Sequence, residues 1–324
     1  MPRKSPKNQA FGGTARQHDA SEFLTYLMGV LDDELNNKRD KPDYQAQLRA
    51  LLPSHLTEKE KDDWDTGEHT SFLNTQVAMR QEWQRQLNGD NSEIFKVFHG
   101  QEAWMMRCTK PDCGFVRKRF RPFPCIQLNF PYDYITGKAS STSISMMTMF
   151  RTELNTVGGH IIEGHICYKC KRESTCIQDR AITYMPEHLI VEFLRFGVQF
   201  DPADVPPGTE AQTDKLTTQV QFPETIDLGP LFIPLDPPPS GGIKMEHGQT
   251  APFIYDCYAV NMHRGRDLQS GHYVAMTRSL DKPNLEASKW HRFNDQVVTE
   301  TLFEECQRPG TTVTQIFLKR RKPA

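Results

Sequence analysis

A chain of 324 residues, 37% of them hydrophobic, can bury a substantial core as one large domain or two smaller ones. Its 39 lysines and arginines nearly balance 41 aspartates and glutamates, so no global field draws it to nucleic acid or to an anionic membrane surface. No run of about 18 apolar residues appears, and Met1-Pro2-Arg3-Lys4-Ser5-Pro6-Lys7 has no apolar stretch behind it, so the chain reads as intracellular, in cytoplasm, nucleus or both.

In chain order, the first predicted element is a helix over Asp19 to Leu35, where Ala20, Phe23, Leu24, Leu27, Leu31 and Leu35 recur on one face. Asp19 with Glu22 three residues on is a capping-box-like start. From Asn36 to Thr70 the chain is polar and charged and reads as an insertion with a solvated face. Between Phe95 and Phe130 short alternating runs, such as Glu102 to Arg107 and Pro124 to Phe130, predict β-hairpins. Further strands are expected at Leu189 to Phe196, Tyr255 to His263, His272 to Arg278 and Thr314 to Lys319. The proline- and glycine-rich stretches Asp201 to Thr218 and Pro234 to Pro252 fall between strands, so they read as insertions within one domain.

Eight cysteines without a secretory signal point to metal or catalysis rather than to disulfides, because cytosolic thiols are kept reduced. Two close pairs stand out. Cys108 with Cys113, and Cys167 with Cys170, are each placed in a turn between strand-like segments, and four thiolates so arranged suit a closed structural Zn²⁺ site. The alternative is four ordinary buried cysteines. Cys125, Cys176, Cys257 and Cys306 sit in apolar settings and read as inert core residues.

Ser270-Gly271-His272-Tyr273 places a histidine just after a turn, at the start of a strand, and Asn294-Asp295 follows the aromatic-rich Trp290-His291-Arg292-Phe293. A thiol nucleophile needs a base beside it, and the base needs a third group to fix its tautomer. His272 and Asn294 fit the second and third of these roles.

These boxes, with others, carry a resemblance to the ubiquitin-specific protease family of papain-like cysteine deubiquitinases. Phe11-Gly12-Gly13-Thr14-Ala15-Arg16-Gln17-His18-Asp19-Ala20-Ser21-Glu22-Phe23-Leu24 is similar to the family's glutamine-aspartate box. Met185 to Phe196 resembles its central palm strand and Phe222 to Leu228 the segment after it, while Tyr258 to Gly265 leads into the histidine box. The resemblance implies an α+β fold of fingers, palm and thumb, with the thumb incomplete. The expected division is a single domain: thumb helices over 11–94 with the polar insertion at 36–70, zinc-bearing fingers over 95–185, and a palm over 186–324 with insertions at 201–218 and 234–252. It further implies that His272 is the general base, that Asn294 orients it and that Asp295 supports or substitutes for Asn294. Asp19 and Glu22 match acidic positions that meet the basic tail of ubiquitin, and the four paired cysteines fall at the tip of the fingers. Ubiquitin and ubiquitinated proteins are the partners so implied, with no nucleic acid and no membrane.

One part of the family pattern is missing. The nucleophile belongs in an Asn-x-x-Cys box at the start of a helix ahead of Gln17, and residues 1–16 contain no cysteine. The oxyanion donors near that helix go with it. Two expectations compete: a truncated copy of an active thiol-dependent deubiquitinase, or a pseudoenzyme that binds ubiquitin without cleaving it. Loss of that helix predicts a gap between thumb and palm and exposed apolar surface.

Overall fold

The computed structural model describes residues 20–36, 79, 82–83, 85–87, 92–131, 141–154, 159–196, 215–232, 249, 252–265, 271–279 and 289–321. Asp19, Ser270, and almost all of the predicted insertions at 36–70, 201–218 and 234–252 lie outside them.

Two sheets carry the structure. The smaller is an antiparallel four-stranded sheet in the order β2 (Val116–Phe123), β1 (Gly100–Cys108), β6 (Glu173–Tyr184), β5 (His160–Ile166). The larger has eight strands. Its main path runs β13 (Val297–Thr301), β12 (Trp290–Asn294), β11 (His272–Arg278), β10 (Ile254–Arg264), β14 (Val313–Arg320), β7 (His188–Phe193) and β3 (Ile126–Leu128), while β9 (Thr225–Asp227) joins β10 from the side. All pairs are antiparallel except β3 with β7. A short parallel pair, β4 (Ser143–Ser145) with β8 (Gln219–Gln221), completes the strands among the described residues.

The larger sheet is built on the core. β10, β14 and β7 bury Tyr255, Val260, Ile316, Leu318, Leu189 and Val191, and the helix α3 (Met146–Glu153) packs into the same core with Met149 and Phe150, all 1% exposed or less. The smaller sheet has little of this. Its separate buried cluster is Ala103 and Phe120, and β5 buries no residue at all. A sheet so poor in apolar contacts needs another tie, and the cysteines lie at its tip.

The structure departs from the sequence reading at Glu93–Phe98 and at β3, and it leaves an apolar stripe uncovered on the helix Ala20–Leu35. The stretch read as starting a hairpin at Phe95 first forms the helix α2 (Glu93–Phe98), set off by Ser92, whose Oγ accepts from the Phe95 N–H at 2.9 Å. Six residues are too few for periodicity to reveal. The helix α1 (Ala20–Leu35) forms as expected, but its apolar stripe is not sealed: no residue of it is buried, and Phe23, Leu27 and Leu35 remain 50, 38 and 48% exposed. Between Leu24 and Met28 of this helix and Ile190 of β7 lies a cavity of about 220 Å³. Finally, β3 leaves the hairpin region to pair with β7 in the larger sheet.

Candidate active site and cysteine cluster

His272 opens β11, where it stands opposite Arg264, the last residue of β10. Asn294 ends β12 and pairs with Val297 across a two-residue turn, in which Asp295 takes a left-handed conformation at φ 52°. Aspartate tolerates that region better than most residues, so Asp295 serves the turn whatever else it does. The turn delivers the amide: His272 Nε2 and Asn294 Oδ1 are 2.5 Å apart. An amide oxygen accepts only, so the neutral ring carries its proton on Nε2 and keeps a lone pair on Nδ1. The carboxylate of Asp295 stands further off at 3.7 Å and is 79% exposed, which makes it the weaker partner.

The hairpin that presents His272 is held from three sides. A Cβ on Gly271 would collide with the His263 ring and the Arg264 carbonyl, so only glycine fits before the histidine. His263 is 1% exposed and packs against Phe196 and Tyr273, with ring centroids 5.3 and 4.8 Å away. Lys215 Nζ donates to the carbonyls of His263 and Gly265 at 2.8 and 3.0 Å, fixing the end of β10. At the other end of β11, Glu224 Oε1 accepts from Arg278 Nη1 and Trp290 Nε1 at 2.7 and 2.8 Å, joining β11 to the start of β12. Sequence reasoning singled out the segment around Glu224 by resemblance alone. It missed Lys215 and His263, whose parts depend on tertiary approach; the glycine before His272 was the available signal.

No sulfur is among the polar partners of His272 in the described residues, which include all eight cysteines. Burial pushes the thiols of Cys125 and Cys306 up to about 12 and that of Cys257 well above its ordinary value. Burial also raises Cys176. Burial thus disfavours the thiolate form, the nucleophilic one, at all four.

The other four cysteines meet. Cys108 ends β1, Cys113 lies in the turn to β2, and Cys167 and Cys170 lie in the turn between β5 and β6. Each turn finishes on a left-handed residue, Gly114 at φ 53° and Lys171 at φ 57°. Arg172 Nη2 bridges the two turns to Asp112 at 2.6 Å. All four Sγ atoms fall within 4.8 Å of one another, and Cys113 and Cys167 are 3.7 Å apart. Sulfurs at Zn–S bonds of about 2.3 Å form a tetrahedron with edges of about 3.8 Å, so this set needs small movements to close on zinc. The backbone N–H of Arg172, with its side chain, pulls the Cys170 thiol down to about 6. The Ser174 hydroxyl lowers Cys108. The four residues between Cys108 and Cys113, against two between Cys167 and Cys170, do not keep the first pair's sulfurs from the second.

With this geometry in place, comparison with known proteins gives the class. The family model described as ubiquitin carboxyl-terminal hydrolase matches residues 4–315, and the chain belongs to that family. It is 28% identical over 284 residues to ubiquitin carboxyl-terminal hydrolase 2 of Rattus norvegicus, covering 87% of this chain and 36% of that protein. Against ubiquitin carboxyl-terminal hydrolase 4 of Saccharomyces cerevisiae it is 27% identical over 270 residues, 82% of this chain and 25% of the other. The chain thus spans about a quarter to a third of the length of these curated relatives. Among solved structures it resembles a chain of the SAGA Ubp8/Sgf11/Sus1/Sgf73 DUB module, with a TM-score of 0.56 at 16% identity, over 96% of this chain and 52% of that one. The fold is that of the papain-like ubiquitin-specific proteases.

Proposed function

We propose that this chain supplies the ubiquitin-holding surface and the base-and-orienter half of a deubiquitinase site, for thiol-dependent hydrolysis of the peptide or isopeptide bond at the ubiquitin C-terminus. The observation that carries this is the His272 Nε2 to Asn294 Oδ1 contact at 2.5 Å, which leaves Nδ1 free as a base. In such a reaction Nδ1 takes the proton of a thiol, the thiolate attacks the scissile carbonyl, and the imidazolium returns the proton to the departing amine. Water then attacks the thioester, again with His272 as base, and the thiol is regenerated. The thiol is not among the eight of this sequence, all of which lie in the cysteine cluster or in thiol-inactivating surroundings. That no thiol of the described residues partners His272 favours a second reading, in which the chain binds ubiquitin without cutting it.

In this reading the four-stranded sheet is the fingers and the eight-stranded sheet, with β3, the palm, while α1 belongs to the thumb. Cys108, Cys113, Cys167 and Cys170 hold a structural zinc at the fingertip, where it ties two turns that the sheet's small core does not. Glu22, exposed in the first turn of α1, and Asp19 meet the basic tail of ubiquitin. No helix among the described residues is long and apolar enough to cross a membrane. Titration of ¹⁵N-labelled ubiquitin with the zinc-loaded chain tests the binding half. Shifts should concentrate on the ubiquitin tail and weaken with Glu22→Gln; an unperturbed ubiquitin spectrum would sink the proposal.

A further inference from the structure

Behind the hairpin that presents His272 lies a second cavity, of about 640 Å³, which the proposed chemistry does not use. Its volume is within the range of small-molecule sites. Lys215, Arg264, Arg292 and Arg308 line it against a single carboxylate, Glu305, and Arg308 already pairs with Glu305 at 2.5 Å. Among the described residues Lys215, Arg264 and Arg292 meet no carboxylate. This is a local excess of positive charge in a chain with more acidic than basic residues.

Lys215 is the most informative of the group. Its side chain is buried, with the residue 8% exposed, and two of its three N–H donors are spent on the His263 and Gly265 carbonyls. Burial, and the charge of Arg195 behind it, push its ammonium down to about 8. A charge held at that expense, in a cavity also lined by two arginines whose guanidiniums can grip oxygens in pairs, is relieved by a compact anion with several oxygens.

We propose that this cavity is an anion site for a phosphate-bearing ligand, held by Lys215, Arg264 and Arg292. The phosphate can come from a free phosphoanion or from a phosphorylated side chain of a peptide. The assignment stands whether or not the chain takes part in ubiquitin cleavage.

Calorimetry on the full chain, at matched ionic strength in chloride, tests it with inorganic pyrophosphate, and with a phosphoserine peptide beside its unphosphorylated twin. Saturable one-to-one binding is expected from pyrophosphate, from the phosphopeptide but not its twin, or from both; the tighter of the two names the source. Arg264→Gln with Arg292→Gln should weaken it by about tenfold or more. Arg107→Gln, a charge change on the other sheet, should leave it alone. In parallel, amide shifts of Gly265, Arg292 and Thr311 in the unaltered chain should follow the titration, which keeps the test open if the double variant folds poorly. Absence of saturable binding by either probe, equal binding in the double variant, or shifts confined to other residues would overturn the assignment.

Discussion

Replacing Cys170 by serine removes one of the four sulfurs that fall within 4.8 Å of one another at the tip of the smaller sheet. Structural zinc contributes about 10–16 kcal/mol of apparent binding energy in small domains, or about 2.5–4 kcal/mol per thiolate if shared evenly. Zinc affinity should therefore fall by roughly two to three powers of ten, read by competition against a chromogenic chelator. The structural consequence should be local. Among the described residues the sheet of β1, β2, β5 and β6 has the small Ala103–Phe120 cluster of its own, while the main core lies in the larger sheet. Amide exchange in β1, β5 and β6 should accelerate in Cys170→Ser or after chelation, with β7, β10 and β14 unchanged. Folded, reduced protein holding well below one equivalent of zinc, or a variant with unaltered affinity, would refute the reasoning.

Other outcomes follow from the hairpin and the sheet edge. Asn294→Ala should reduce the share of the Nε2–H tautomer of His272, seen in ¹⁵N shifts of the ring, at a stability cost of about 1 kcal/mol or less because the pair is partly exposed; an unchanged ring spectrum would count against Asn294 as the orienter. Gly271→Ala should drive the chain away from the His263 ring, lower stability by about 1–3 kcal/mol and disturb the His272 ring signals; wild-type stability and spectra would show that the close approach is not restrictive. Although burial works against the charge of Asp256, Arg321 and Thr225 bond to it and hold its carboxyl below the usual value. A depressed folded pKa gives stability that is present above the unfolded value, near 3.8, and lost as pH falls through the folded one. Denaturant titrations should show that Asp256→Asn lowers stability at neutral pH and narrows the gap to wild type in acid; a gap constant with pH would contradict this.

Much of this was legible where apolar residues are dense. β11 runs over His272–Arg278 as expected, and β7, β10 and β14 differ from the predicted strands by a few residues at their ends, because most of their residues are buried in or against the core. β5 and β13 gave no such signal. The burial pattern of β5 shows no inward face, and β13 leaves Val297 and Val298 more than half exposed, so neighbouring strands rather than patterning define them. In the site, His272 and Asn294 could be named from their boxes, and the structure brings them together. Their supports could not: the packing of His263 under Gly271 and the reach of Lys215 to β10 join residues far apart in the chain. α1 was legible as a helix, yet its stripe did not say what covers it.

The function proposed above pairs His272 with Asn294 as base and orienting amide and assigns the nucleophile to none of the eight thiols. Intact mass after incubation with ubiquitin carrying a thiol-reactive C-terminal electrophile tests it most directly. The predicted result is an unmodified chain; a covalent ubiquitin adduct at any of the eight cysteines would contradict it.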